Sequence, residues 1–161
     1  SMVHNIDKVK DKQSDIKRNL DTKKKELNQL EERKQALLDS GIDVQNSDMD
    51  ESTKRLVMEQ INQALEENSE KGKEFSSEIT DDLMSLEDMK QEISEMTEST
   101  EQERRNLEQK KSILDKFGLG KNIDSAISEM DDSKSQLENV HGDLIETERE
   151  VSDIARQLNS L

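Results

Sequence analysis

The residues of this chain that could do chemistry are few and scattered. His4 and His141 are the only two histidines, and there is no cysteine. A transition-metal site built on nitrogen or sulfur ligands would need more than this. His4 lies near the start of a helical pattern and His141 beside one, where a surface imidazole is the ordinary reading. Four acidic doublets, Glu31-Glu32, Glu66-Glu67, Asp81-Asp82 and Asp131-Asp132, could chelate a divalent ion weakly. Adjacent positions on a helix point in different directions, so solvated helix face is the simpler account.

Asp43–Asp50 reads DVQNSDMD, an acidic spacing that hints at a calcium loop. It lacks the central Gly and the closing Glu that such a loop needs. Gly118-Leu119-Gly120 precedes no Lys-Ser/Thr pair and follows no strand, so it is not a phosphate loop. Serines are spread along polar faces with no neighbouring base, and no nucleophile–base pair stands out. The reading is therefore a non-enzymatic chain with no catalytic, cofactor-binding or metal residues, and no cofactor.

The elements explain why. Of the 161 residues, 39% are charged and 29% hydrophobic, with no Pro, Trp or Tyr and two Phe. So polar a chain cannot fill a thick core, and a net charge of −15 alone would suit disorder. The apolar residues, however, recur at alternating three- and four-residue steps, the signature of narrow seams between helices. Nothing alternates like a strand. No stretch approaches the roughly 20 apolar residues of a membrane span, and no signal-peptide pattern is visible. Ser1 ahead of Met2 reads as a tag remnant. A soluble chain is expected, with the cytoplasm favoured and secretion the other option.

The first seam is Ile6, Val9, Gln13, Ile16, Leu20, Lys23, Leu27, Leu30, Lys34 and Leu37. It predicts a helix over about 5–39, capped by Asn5 and ended by Gly41. A polar linker follows, with Asp50 or Ser52 as the next cap. A long central helix is predicted over about 51–116. Its seam slips phase at Phe75, Ile79 and Leu83, a stutter. Gly72 and the stretch from Thr97 to Thr100 are where it would break, Thr100 and Glu103 having capping-box spacing. Gly118 ends it, with Leu119 folding back. The third helix, about 122–160 and capped by Asn122, has the cleanest seam: Ile123, Ala126, Met130, Ser133, Leu137, Val140, Leu144, Thr147, Val151, Ile154, Leu158 and Leu161.

Short turns imply antiparallel neighbours. In the first hairpin Leu27 should face Leu65, and Ile16 should face Phe75. Lys23, Lys24 and Lys25 should lie near Glu66 and Glu67, Lys17 and Arg18 near Glu70 and Glu74, and Lys8, Lys10 and Lys12 near Glu78, Asp81 and Asp82. In the second hairpin Met130 should face Leu107, Leu144 should face Ile93, and Val151 should face Leu86. The free ends of the first and third helices would meet near Ile79 to Leu86. The expected fold is an all-α, elongated antiparallel coiled coil of three long helices in a single domain, 1–161. The long central helix is packed by the first and third helices. A compact three- or four-helix bundle is the alternative. Met49, Val57, Met84, Met89 and Ile145 lie off the seams and could form a strip for self-association.

Residues 51–103 carry five Lys/Arg against sixteen Asp/Glu, net −11. That opposes nucleic acid as a partner, since phosphates need Lys/Arg neutralisation, and opposes anionic lipid. Stable membrane insertion is not expected. The expected function is a coiled-coil protein–protein interaction module acting as spacer, scaffold or adaptor. Its partner is another protein held through helical surfaces, with homo-oligomers allowed.

The alternative function is a small helical secreted protein or export partner of a bacterial secretion system. The chain resembles such proteins in being built of helical hairpins without Cys. The type VII pattern among them places Trp-x-Gly at the hairpin turn and an aromatic motif in the tail. Here the turns read Asp39-Ser40-Gly41 and Phe117-Gly118-Leu119, with no Trp or Tyr.

Overall fold

With no Pro to interrupt it and mostly good helix formers, the chain is helical throughout. The computed structural model describes residues 1–161 and contains four α-helices and no strand. They are α1 (Met2–Arg18), α2 (Leu20–Gln45), α3 (Glu51–Asp115) and α4 (Lys121–Asn159). The predicted first helix is thus two, divided at Asn19. That residue keeps right-handed helical angles (φ −87°, ψ −5°), and its carbonyl still accepts from the Lys23 amide at 3.0 Å. Both α3 and α4 match their predicted bounds to within a residue.

Several ends differ from expectation. Helix α1 begins before Asn5: the Ser1 carbonyl accepts from the Asn5 amide, and the Ser1 hydroxyl oxygen accepts from the His4 amide. Helix α2 does not stop at Ser40. Gly41 stays helical, buried against Met58, and the added turn brings Val44 into the seam at 8% exposure. Asp50 caps α3 as expected, its Oδ1 accepting from the Thr53 amide at 2.7 Å. That bond holds the Asp50 carboxyl below its usual range. Gly118 ends α3 with φ +71°. The Leu119 amide reaches the Leu114 carbonyl and the Gly118 amide the Asp115 carbonyl, the paired bonds of a Schellman end. Leu119 does not fold back; it is exposed. Helix α4 starts at Lys121 rather than at an Asn122 cap, with the Ile123 amide bonded to the Gly120 carbonyl.

Helix α3 does not break. Thr97 and Thr100 return their hydroxyls to the carbonyls of Ile93 and Met96, each at 2.8 Å, which satisfies them inside the helix. Gly72 is simply carried by its helical neighbours.

The chain forms two compact units. The first comprises Ser1–Lys17 and Met84–Arg149. In it, α1 lies along α3 as far as Thr100, whose Oγ1 is 3.3 Å from Met2 Sδ, and along α4, where Gln13 meets Thr147. Where three helices meet, the seam is shut: Ile6, Val9, Leu86, Ile93, Leu137 and Leu144 are at most 1% exposed. Met89, predicted off the seam, is buried there too. Beyond Thr100 only α3 and α4 remain paired, and Leu107, Leu114, Ile123 and Met130 are half-buried. A two-helix seam always leaves one side open to water.

The second unit comprises Arg18–Leu83 and Glu150–Leu161. Here α2, the first half of α3 and the end of α4 enclose Leu27, Phe75, Ile79, Val151 and Ile154. The Lys34 ammonium donates to the main-chain oxygen of Leu161. Beyond that point α2 and α3 pair alone, and Leu37, Val57 and Met58 are half-buried. In both units, then, the long central helix packs against the first and the last helices. No helix is long and apolar enough to cross a membrane.

The α3–α4 register matches expectation: Lys90 pairs with Glu148 and Arg104 with Asp131, close to the predicted facing positions. The α2–α3 register does not. Asn68 faces Leu30, and Lys23 pairs with Asp82 rather than Glu66 or Glu67. The offset is roughly two helical turns or more, and it follows from α2 running past Gly41 and moving the turn later. Lys24 pairs with Glu150 of α4, while Lys8, Lys10, Lys12, Lys17 and Lys25 form no ion pair. The overlap of α4 with α2, and of α1 with α4, replaces the predicted meeting of free ends.

Candidate functional site

The side chains with chemistry to offer are spread out by this fold rather than gathered. His4 and His141 are both exposed. Glu66, Glu67 and Asp132 project into solvent, Asp82 is engaged by Lys23, and Asp131 accepts from Arg104 Nε at 2.6 Å. No three His, Asp or Glu side chains converge in a way that could hold a metal ion. Of the predicted linker 43–50, residues 43–45 are the last of α2 and 46–50 form the turn, closed by Ser47, whose hydroxyl donates to the Val44 carbonyl at 2.6 Å, and by the Asp50 cap.

A groove runs between α2 and α3 in the second unit. Leu30 and Phe75 form its floor, and Arg33, Lys71, Glu74 and Glu78 stand at its rim. The rim groups are exposed to solvent. Asn68 lies at the groove's inner edge. Its Nδ2 donates to the Leu30 carbonyl at 3.1 Å, while its Oδ1 is buried without a partner. The Nδ2 bond ties α2 to α3 at this level.

What the fold does concentrate is exposed apolar surface. Ten large hydrophobic side chains are exposed, and seven of them sit at or beside the two inter-helix turns. At the α2–α3 turn these are Leu38, Ile42, Met49 and Leu56; at the α3–α4 turn, Ile113, Phe117 and Leu119. Phe117 is 73% exposed, the highest value among them. Scattered exposed apolar residues are ordinary; clustered ones mark contact surfaces. The sequence signal is Phe117-Gly118-Leu119, two apolar residues flanking the glycine that stops the helix. The strip predicted from Met49, Val57, Met84, Met89 and Ile145 does not form as such, since Met89 is buried and Val57 half-buried.

The charges at the two turns differ in sign. Residues 110–121 hold four lysines against Asp115, net +3. Lys111 is engaged by Asp124 at 2.6 Å, and the Asp124 carboxylate raises the Lys111 pKa. Lys110, Lys116 and Lys121 are exposed. Residues 38–56 hold four aspartates and Glu51 against Lys54 and Arg55, net −3.

No protein-family model, curated protein or solved structure matches this chain.

Proposed function

We propose that the protein is a non-enzymatic helical interaction module, a scaffold or adaptor that binds other proteins through the apolar surface at its inter-helix turns. The observation that supports this most is the clustering of Leu38, Ile42, Met49 and Leu56 at one turn and Ile113, Phe117 and Leu119 at the other. Of the other exposed large apolar residues, Val3, Met84 and Ile145 lie away from the turns, so these seven offer the most concentrated apolar surface for a partner. Their hydration is unfavourable, and covering them drives association.

The test is affinity capture with the purified chain as bait, beside a variant carrying Ile42→Ser and Leu56→Ser. The expected result is a defined set of proteins retained by the parent chain and lost by the variant, with the helical circular dichroism of the two unchanged. Equal capture by both, or turnover of a substrate by the pure chain, overturns the reading.

A further inference from the structure

We infer that one partner of the α3–α4 turn is a second copy of this chain, met through its α2–α3 turn. This deepens the interaction reading above and rests on it.

Each turn combines exposed apolar side chains with an unbalanced charge, and the two imbalances are opposite: +2 over residues 110–121 once Lys111 is set against its partner Asp124, and −3 over residues 38–56. Like turns from two copies would bring Lys110, Lys116 and Lys121 against themselves, or Asp39, Asp43 and Asp48 against themselves. Both pairings are repulsive. Unlike turns place lysines against aspartates while Phe117 and Leu119 cover Ile42 and Leu56. The cations concerned have no carboxylate already within ion-pair distance, so no existing bridge must break. Asp43 and Asp48 are likewise without an ion-pair partner.

Beside each turn lies a two-helix stretch with half-buried seam residues, Leu107, Leu114 and Ile123 on one side and Leu37, Val57 and Met58 on the other. These add apolar surface that a facing hairpin can cover, as in four-helix packing. The contact is heterologous: it uses two different surfaces and leaves one of each free, so a third copy can add. With few apolar side chains at each turn, it belongs to the weak, reversible class of interfaces.

Sedimentation velocity on the pure chain over a concentration series tests this. The expected result is reversible growth above the mass of the 18.5 kDa monomer at concentrations on the order of 100 µM. Raising salt from about 0.05 M to about 0.5 M should weaken it roughly tenfold. Phe117→Ser, at an exposed turn position, should weaken it by a similar factor. The decisive arm is a charge exchange. A chain with K116E and K121E, and a chain with D43K and D48K, should each remain monomeric alone and should associate with one another when mixed.

A parent chain that stays monomeric throughout overturns the inference. So does growth that is indifferent to Phe117→Ser and to the charge variants. Co-flotation of the monomeric parent chain with vesicles of phosphatidylcholine and phosphatidylserine, lost in K116E/K121E, would assign the turn to a lipid surface and overturn it as well. Monomeric behaviour together with turn-dependent capture of other proteins would remove the second copy while leaving the interaction module standing.

Discussion

Gln13 Nε2 donates to Thr147 Oγ1 at 3.0 Å in the closed part of the first unit, joining α1 to α4 inside an otherwise apolar seam. Gln13 is 7% exposed and Thr147 1%. A hydrogen bond in such a place selects register more than it adds stability, because both groups must leave water to make it. Thr147→Val should lower unfolding stability by about 1–3 kcal/mol, since it strands a buried amide. Gln13→Leu together with Thr147→Val should recover most of that loss. Urea denaturation of the two singles and the double gives the coupling directly. Simple additivity would show that the pair is not linked.

The number of helices around a seam should set what each leucine is worth. Leu137 and Leu144 are 0% exposed, whereas Leu107 and Leu114 are half-buried. Replacing either of the first two by Ala should cost about 2–5 kcal/mol, and either of the second two roughly half as much. Chemical denaturation of the four variants measures the difference. Equal losses would mean that the α3–α4 hairpin beyond Thr100 is covered by something more than two helices.

Glycines at helical positions are expected to be replaceable. A Cβ added at Gly72 or Gly142 meets nothing within 4 Å. Gly72→Ala and Gly142→Ala should each stabilise by about 0.5–1 kcal/mol, through better helix propensity and a less flexible unfolded chain. Gly118 is the contrasting case, because its φ of +71° strains any residue with a Cβ. Gly118→Ala should destabilise by about 1 kcal/mol. Thermal melts of the three variants should therefore move in opposite directions; a rise for Gly118→Ala would contradict the turn geometry.

Lys90 of α3 should make stability depend on pH at the alkaline end. Glu87 and Glu148 lie 3.0 Å from its ammonium and raise its pKa above the ordinary 10.5. A pKa raised by folding means stability that is complete below about 10.5 and is lost as pH climbs through the higher folded value. Removing the ammonium with Lys90→Met should flatten that part of the pH–stability profile. An unchanged alkaline slope in the variant would show that the bridge contributes nothing to it.

The sequence by itself determined the helices and their seams. Three- and four-residue spacing placed Ile6, Val9, Leu27, Ile93, Leu137, Leu144 and Val151 on buried faces, and all seven are buried. The Asp50 cap and the glycine stop at Gly118 were equally legible, because capping depends on neighbours within one turn. The α3–α4 register followed from a short, well-marked turn.

Tertiary packing decided the rest. A helix's own residues cannot say whether Gly41 ends it, because burial of Gly41 against Met58 and of Val44 behind it is a property of the α2–α3 pair. That one extension moved the α2–α3 register and, with it, the partners of Lys23 and Lys24. Nor does a seam state how many helices share it: Leu107 and Leu137 have the same spacing, yet only Leu137 has a third helix over it. The clusters of apolar residues at the turns emerged the same way. Phe117 and Leu119 are exposed because no neighbouring helix extends over the Schellman end, and only the three-dimensional arrangement fixes which neighbour reaches how far.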